Sequence, residues 1–151
     1  MVVTTNGHST EPVNVHAGTA APAFFQWGAS QYALATRYPD NARVANPSLG
    51  FVAAKPGDIL TLWGTGFGPT DPAQDPSVLT IGTHNVSSLK LTVTVGGMPA
   101  RIVGAALSPG LAGVYQIAIS TPSFAAVGRA CGESRGGWIP HAGQRVPVPV
   151  Y

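Results

Sequence analysis

The chain has 151 residues, 44% of them hydrophobic and only 9% charged, with 19 glycines and 14 prolines. That is enough for one domain with a buried core, but so much glycine and proline excludes long helices and favours short strands joined by tight turns. The net charge of +2 comes without a basic stripe, which argues against nucleic acid; no stretch reaches the ~18 apolar residues of a membrane span; and one cysteine, Cys131, excludes an internal disulfide framework.

Val2-Val3-Thr4-Thr5 is β-prone and is followed by Asn6-Gly7, a strong hairpin signal because both residues tolerate positive φ. With the alternating run Pro12–His16, residues 2–16 read as a β-hairpin. No charged segment followed by an apolar one opens the chain, so an export signal is expected upstream, in a longer parent chain. Residues 17–23 are a small-residue connector. Phe24-Phe25-Gln26-Trp27 is an aromatic cluster, 32–36 a short strand, and 38–48 a turn-rich stretch. Pro56-Gly57-Asp58 predicts a turn, Ile59–Trp63 a strand with Trp63 in the core, Gly64–Pro69 a glycine loop, and 69–77 irregular chain. Leu89–Val95 predicts a strand that Gly96-Gly97 turns back into Pro99–Val103. Ser108-Pro109-Gly110 predicts a further turn and Val114–Ile119 a strand. Turn signals at this spacing suit an all-β sandwich rather than βαβ units.

Three stretches carry a resemblance. They are Pro56-Gly57-Asp58-Ile59-Leu60-Thr61-Leu62-Trp63-Gly64-Thr65-Gly66-Phe67-Gly68-Pro69-Thr70, Val93-Thr94-Val95-Gly96-Gly97-Met98-Pro99-Ala100, and Leu107-Ser108-Pro109-Gly110-Leu111-Ala112-Gly113-Val114-Tyr115-Gln116-Ile117. In order and spacing over residues 20–127 they resemble a family of uncharacterised C-terminal domains of large exported acidobacterial proteins. That family is similar to the immunoglobulin-like IPT/TIG type of β-sandwich. The resemblance implies an Ig-like fold and an extracellular or cell-surface location, and no chemistry. Residues 1–19 resemble the terminal hairpin of a preceding Ig-like repeat plus a linker, so the expected partners are neighbouring domains of a tandem array.

Residues 128–151 break the pattern. Gly128-Arg129-Ala130-Cys131-Gly132-Glu133-Ser134-Arg135-Gly136-Gly137-Trp138 has neither strand nor helix periodicity, and an irregular tail is expected. Plausible codons read one base later turn Arg129–Gly132 into Val-Pro-Val-Val, and Val146-Pro147-Val148-Pro149-Val150 looks in frame again. Two readings stay open: a frame-shifted final hairpin over 128–145, or a natural divergent tail. Without residues 128–151 the net charge is zero, so the basic character belongs to the tail.

No constellation points to catalysis. Gly64–Gly68 lacks the Lys-Ser/Thr of a phosphate loop and no helix pattern follows it. His8, His16, His84 and His141 share no metal spacing, and no cofactor or metal is expected. Asp58 sits in a turn, where Asp bonds nearby backbone. Asp71 and Asp75, between prolines, offer hard oxygen ligands of the kind calcium takes, with a turn role the plainer reading. Asn85-Val86-Ser87 is a glycosylation sequon without meaning in an ordinary bacterium. Trp27, Trp63, Phe24, Phe25 and Phe67 offer faces for sugar stacking; with Trp63 read as core, Trp27, Phe24 and Phe25 are the candidate carbohydrate platform. The expectation is a non-enzymatic structural or adhesion module of an exported protein, whose partner is a surface glycan or protein if it has one. The alternative is a carbohydrate-binding module of a secreted enzyme.

Overall fold

The structure is a computed structural model that describes residues 1–16, 18, 20–28, 32–75, 77–87, 91–123, 128–132 and 146–150. The described chain is all β apart from one short 3-10 turn. In order it forms β1 (Thr4–Thr5), β2 (His8–Ser9), β3 (Ala23–Phe24), β4 (Ala35–Tyr38), β5 (Ala42–Val44), a 3-10 turn (Pro47–Leu49), β6 (Ile59–Thr65), β7 (Thr70–Asp71), β8 (Asn85–Val86), β9 (Val93–Val95), β10 (Met98–Leu107), β11 (Tyr115–Ser120), β12 (Gly128–Gly132) and β13 (Val146–Val150).

β1 and β2 form a hairpin inside the expected span 2–16, with Asn6 at φ 49° and Gly7 at φ 78° making the turn, but the alternating run Pro12–His16 is not a strand. All of residues 1–16 are exposed, and the ribbon is held by its own bonds, including Thr10 N–H to the Val3 carbonyl at 3.0 Å.

The remaining strands build an open antiparallel sheet in the order β5-β4-β6-β11-β10-β8-β7, with β3 also on β6 and β9 on β10. β10 connects two layers. Its first residues pair with β9, from Ala100↔Val93 to Met98↔Val95, and from Arg101 onward it pairs with β11. A register shift between Ile102 and Gly104 marks the corner, as an irregularity does where a strand changes sheets. Val93 and Val95 of β9 join the same buried core, and β12 lies alongside β9.

Period two explains the core. β6 and β11 alternate in phase: Leu60, Leu62 and Gly64 point inward with Tyr115, Ile117 and Ile119, and the residues between them are half-buried on the outer face. Leu60, Leu62, Ile117, Ile119, Val93 and Val95 are all fully buried, each worth about 1.5–3 kcal/mol relative to exposure. Phe24, Phe67 and Tyr115 close one end, with ring centroids 5.3 Å and 5.5 Å apart in succession.

The structure departs from the sequence reading in several places, among them β7 within the stretch 69–77 expected to be irregular. Trp63 is half-buried on the outer face, not in the core, because Thr61 and Trp63 share a phase opposite to Leu60 and Leu62. The strand expected over 32–36 is Ala35–Tyr38, and the turn-rich stretch after it holds a further strand, β5. The strand expected over 89–95 is Val93–Val95; 88–90 lie outside the described residues. In the tail, expected to be irregular, Gly128–Gly132 is a strand paired antiparallel with Val146–Val150, and 133–145 lie outside the described residues. Glycine, alanine and cysteine in β12 give no alternating signal, so its pairing rather than its own pattern defines it as a strand.

Candidate functional site

The aromatic segment follows from the way β3 and β4 share one edge of β6. Phe25 N–H donates to the Trp63 carbonyl at 2.9 Å, and Trp63 N–H donates to the Leu34 carbonyl at 3.1 Å. Phe24 faces inward against Phe67 and is 8% exposed, so it is a core residue and not part of a surface platform. Phe25, the next residue, falls on the outer face at 37% exposure, directly across from Trp63. Trp27 is half-buried. Its indole N–H donates to the Val44 carbonyl at 3.1 Å, its ring tilts against Phe51 at 5.4 Å, and the Arg43 guanidinium lies 6.0 Å from its centroid. The structure therefore takes Phe24 out of the three residues expected as one platform, leaving Phe25 exposed and Trp27 half-buried. Trp63, expected in the core, lies instead on the outer face beside Phe25, with Gln116 across the next strand.

The glycine loop is architectural. A Cβ on Gly64 would lie 2.3 Å from the Ala23 carbonyl oxygen, and one on Gly66, whose φ is +75°, 2.1 Å from that of Ala21. Only glycine lets the 20–24 segment lie this close. Tyr115 hydroxyl donates to the Gly68 carbonyl at 2.5 Å, and Thr65 hydroxyl to that of Gly113 at 3.0 Å. A shallow cleft of about 590 Å³ beside this loop is lined by Ala21, Gly66, Pro69, Gln74 and Tyr115, among others. Sequence reasoning passed over Tyr115, whose burial raises its phenol above the ordinary value of 10.0.

The acidic residues serve turns. Asp58 accepts the Lys55 N–H at 2.8 Å. Asp40 accepts from the Arg37 guanidinium at 2.6 Å and from the Ala42 N–H; the Arg37 bond is the larger cause holding its carboxyl below the usual range. Asp75 accepts from the Ser77 hydroxyl at 2.6 Å and the Ser77 N–H at 2.8 Å, and is lowered chiefly by the hydroxyl. Among the described residues no group of three or more His, Cys, Asp or Glu gathers as metal ligands would. His8 stands opposite Thr5 in the hairpin, and both it and His16 are exposed. His84, by contrast, is buried, between the carbonyls of Pro72 and Ile81. Cys131 lies in β12, and His141 lies outside the described residues. No helix among the described residues is long and apolar enough to cross a membrane.

Comparison with protein-family models, curated proteins and solved structures finds no match.

Proposed function

We propose that the chain is a non-catalytic, Ig-like structural or adhesion module, joined to neighbouring domains of an exported or cell-surface bacterial protein. The observation that carries this reading is the use made of the most patterned stretch of the sequence, Pro56–Thr70. Asp58 closes its turn, Leu60 and Leu62 fill the core, Gly64 and Gly66 admit the 20–24 segment, and Gly68 receives the Tyr115 hydroxyl. Each of these residues is committed to holding the sandwich together. The similarity to the IPT/TIG type, the export and the tandem arrangement rest on the three sequence motifs. The test is a panel on the full chain: chromogenic esters, glycosides and peptides for turnover, and affinity electrophoresis in polysaccharide gels for binding. The expected result is neither turnover nor retardation. Turnover that co-purifies with the protein through repeated columns overturns the reading.

A carbohydrate-binding module is the second reading, favoured by Phe25 and Trp63 facing each other on an outer sheet face that also bears Thr61 and Gln116. Aromatic faces beside amide and hydroxyl groups suit sugar stacking. Retardation by a polysaccharide that Phe25→Ala or Trp63→Ala abolishes would establish it, and loss on Trp27→Ala would extend the platform along the segment.

A further inference from the structure

The connection from β7 to β8 and the turn from β10 to β11 meet in an apolar tip. Ile81 is 84% exposed, Leu79 62%, Val78 48% and Leu111 44%. Thr80, between Leu79 and Ile81, is buried. Its N–H and hydroxyl donate to the Leu111 carbonyl at 3.1 Å and 2.9 Å, and its own carbonyl accepts the Gly110 N–H at 3.0 Å. These three bonds hold the two loops side by side, so the aliphatic side chains are presented together. Apolar surface gathered in this way marks an interaction site, where one exposed leucine does not.

We propose that this tip inserts into the apolar layer of a lipid surface and seats the module on a membrane without crossing it. The composition of the tip selects lipid over a protein partner. Residues 77–83 and 108–114 contain no Tyr, Trp or Arg, the anchors that carry most protein interfaces. They contain no ionisable side chain either, so insertion takes no charge out of water. The backbone of the tip is largely bonded to itself. Besides the groups of Thr80 and Gly110, Val78 N–H donates to the Asp75 carbonyl at 3.3 Å, Leu111 N–H to that of Ser108 at 3.3 Å, and Ser108 N–H to that of Val114 at 2.7 Å. The Ile81 carbonyl lies 3.0 Å from Nε2 of His84. A hydrocarbon layer offers no hydrogen bonds, so it suits a surface whose main chain asks for few. A protein partner commonly supplies about one for each 100–200 Å².

The charges around the tip assign no part to anionic headgroups. No Lys or Arg stands between residues 56 and 89 or between 102 and 128. Asp75, the nearest acid along the chain, is exposed and bonded to Ser77, and its charge opposes an anionic surface. Attachment therefore rests on apolar burial, which salt does not screen. It extends the reading of the chain as an adhesion module by naming a surface that the module holds.

The test uses the full chain and vesicles of phosphatidylcholine, whose zwitterionic surface gives the arginines of the tail no net charge to bind. Co-sedimentation is expected, equal at low and high salt. Leu79→Ser and Ile81→Ser are each expected to weaken partition about tenfold or more, the effect of one aliphatic side chain left in water. Val103→Ser, at an exposed position of β10 outside the tip, is expected to leave partition unchanged. All three positions are exposed, and unchanged denaturant midpoints check that the variants fold. A protein that stays in solution with these vesicles overturns the proposal. So does sedimentation that high salt abolishes or that both tip variants leave intact. Tip variants that turn a dimer into a monomer, without any binding to vesicles, would assign the tip to a second copy of the chain and overturn it as well.

Discussion

At Gly66 a methyl group would meet the Ala21 carbonyl oxygen at 2.1 Å, and the backbone already sits at φ +75°. Gly66→Ala combines left-handed strain with displacement of a neighbouring main chain, and a loss of about 2–4 kcal/mol is expected. Gly104→Ala is the internal control. Its Cβ meets nothing within 4 Å and its φ is not in the left-handed region, so stability should stay within about 0.5 kcal/mol. Urea unfolding of the two variants separates them; equal losses would mean that the close approach at Gly66 is not what the loop requires. Tyr115 gives a pH-dependent case. Tyr115→Phe keeps the ring and removes the bond to Gly68, at a cost of about 1 kcal/mol near neutrality. The phenol's folded value is raised, so its contribution is complete below the unfolded value of 10.0 and fades as pH climbs through the folded one. Wild type and variant should therefore converge in alkaline unfolding curves above about pH 10. Asp40 runs the other way. Its carboxyl is lowered first by the Arg37 bond, so its contribution is present above the ordinary 3.8 and lost as pH falls through the lower folded value. Arg37→Met should move the Asp40 titration upward in carboxyl NMR. At this scale the sequence was partly legible. The special turn positions Asn6, Gly7 and Asp58 stand out because few residues do their work, whereas Trp63, at the end of an apolar run, shares the outward phase of Thr61.

Among the elements, the first hairpin and β6 show two kinds of strand. Residues 1–16 are all exposed and their turn closes on itself, so removing residues 1–16 should leave the denaturant midpoint of the sandwich unchanged. A fall in the midpoint would show that the ribbon packs on the sheet. β6 is central, with β4 and β11 on its two sides, and Leu62 is fully buried. Leu62→Ala should cost about 2–5 kcal/mol, the spread reflecting how far the cavity collapses. Long alternating strands such as β6 and β11 were legible because both faces leave a mark on the sequence. β5, β7 and β8 were not: each spans two or three residues, too short for any period, and exists because a neighbour offers a ladder. The aromatic segment falls between these cases. Its residues announce themselves, but only pairing with β6 decides that Phe24 turns inward and Phe25 outward.

For the whole molecule the question is the last ribbon. β12 lies alongside β9, whose Val93 and Val95 are fully buried. β13 opposes it with Pro147 across from Cys131 and Pro149 across from Arg129. Successive N–H groups of a strand point to opposite edges, so both proline nitrogens fall on one edge, and valines 146, 148 and 150 have the N–H groups free to serve the other. An edge without donors resists a further strand, which suits the rim of a sheet. β13 thus has the composition of a finished edge strand, while its partner, Gly-Arg-Ala-Cys-Gly, has that of no strand at all. This mismatch within one ladder is what a frame shift over 128–145 would produce, since plausible codons read one base later give Val-Pro-Val-Val at Arg129–Gly132. Re-sequencing the gene separates the two readings: a single-base shift upstream of β12, compensated before Val146, establishes the frame-shifted hairpin. A protein made from the restored frame should then unfold at a higher denaturant concentration, because valines replace Arg129, Cys131 and Gly132 on the strand beside β9. If no single-base change yields a valine-rich strand, the tail is a natural divergent one, and the poor strand propensity of β12 is a property of the protein itself.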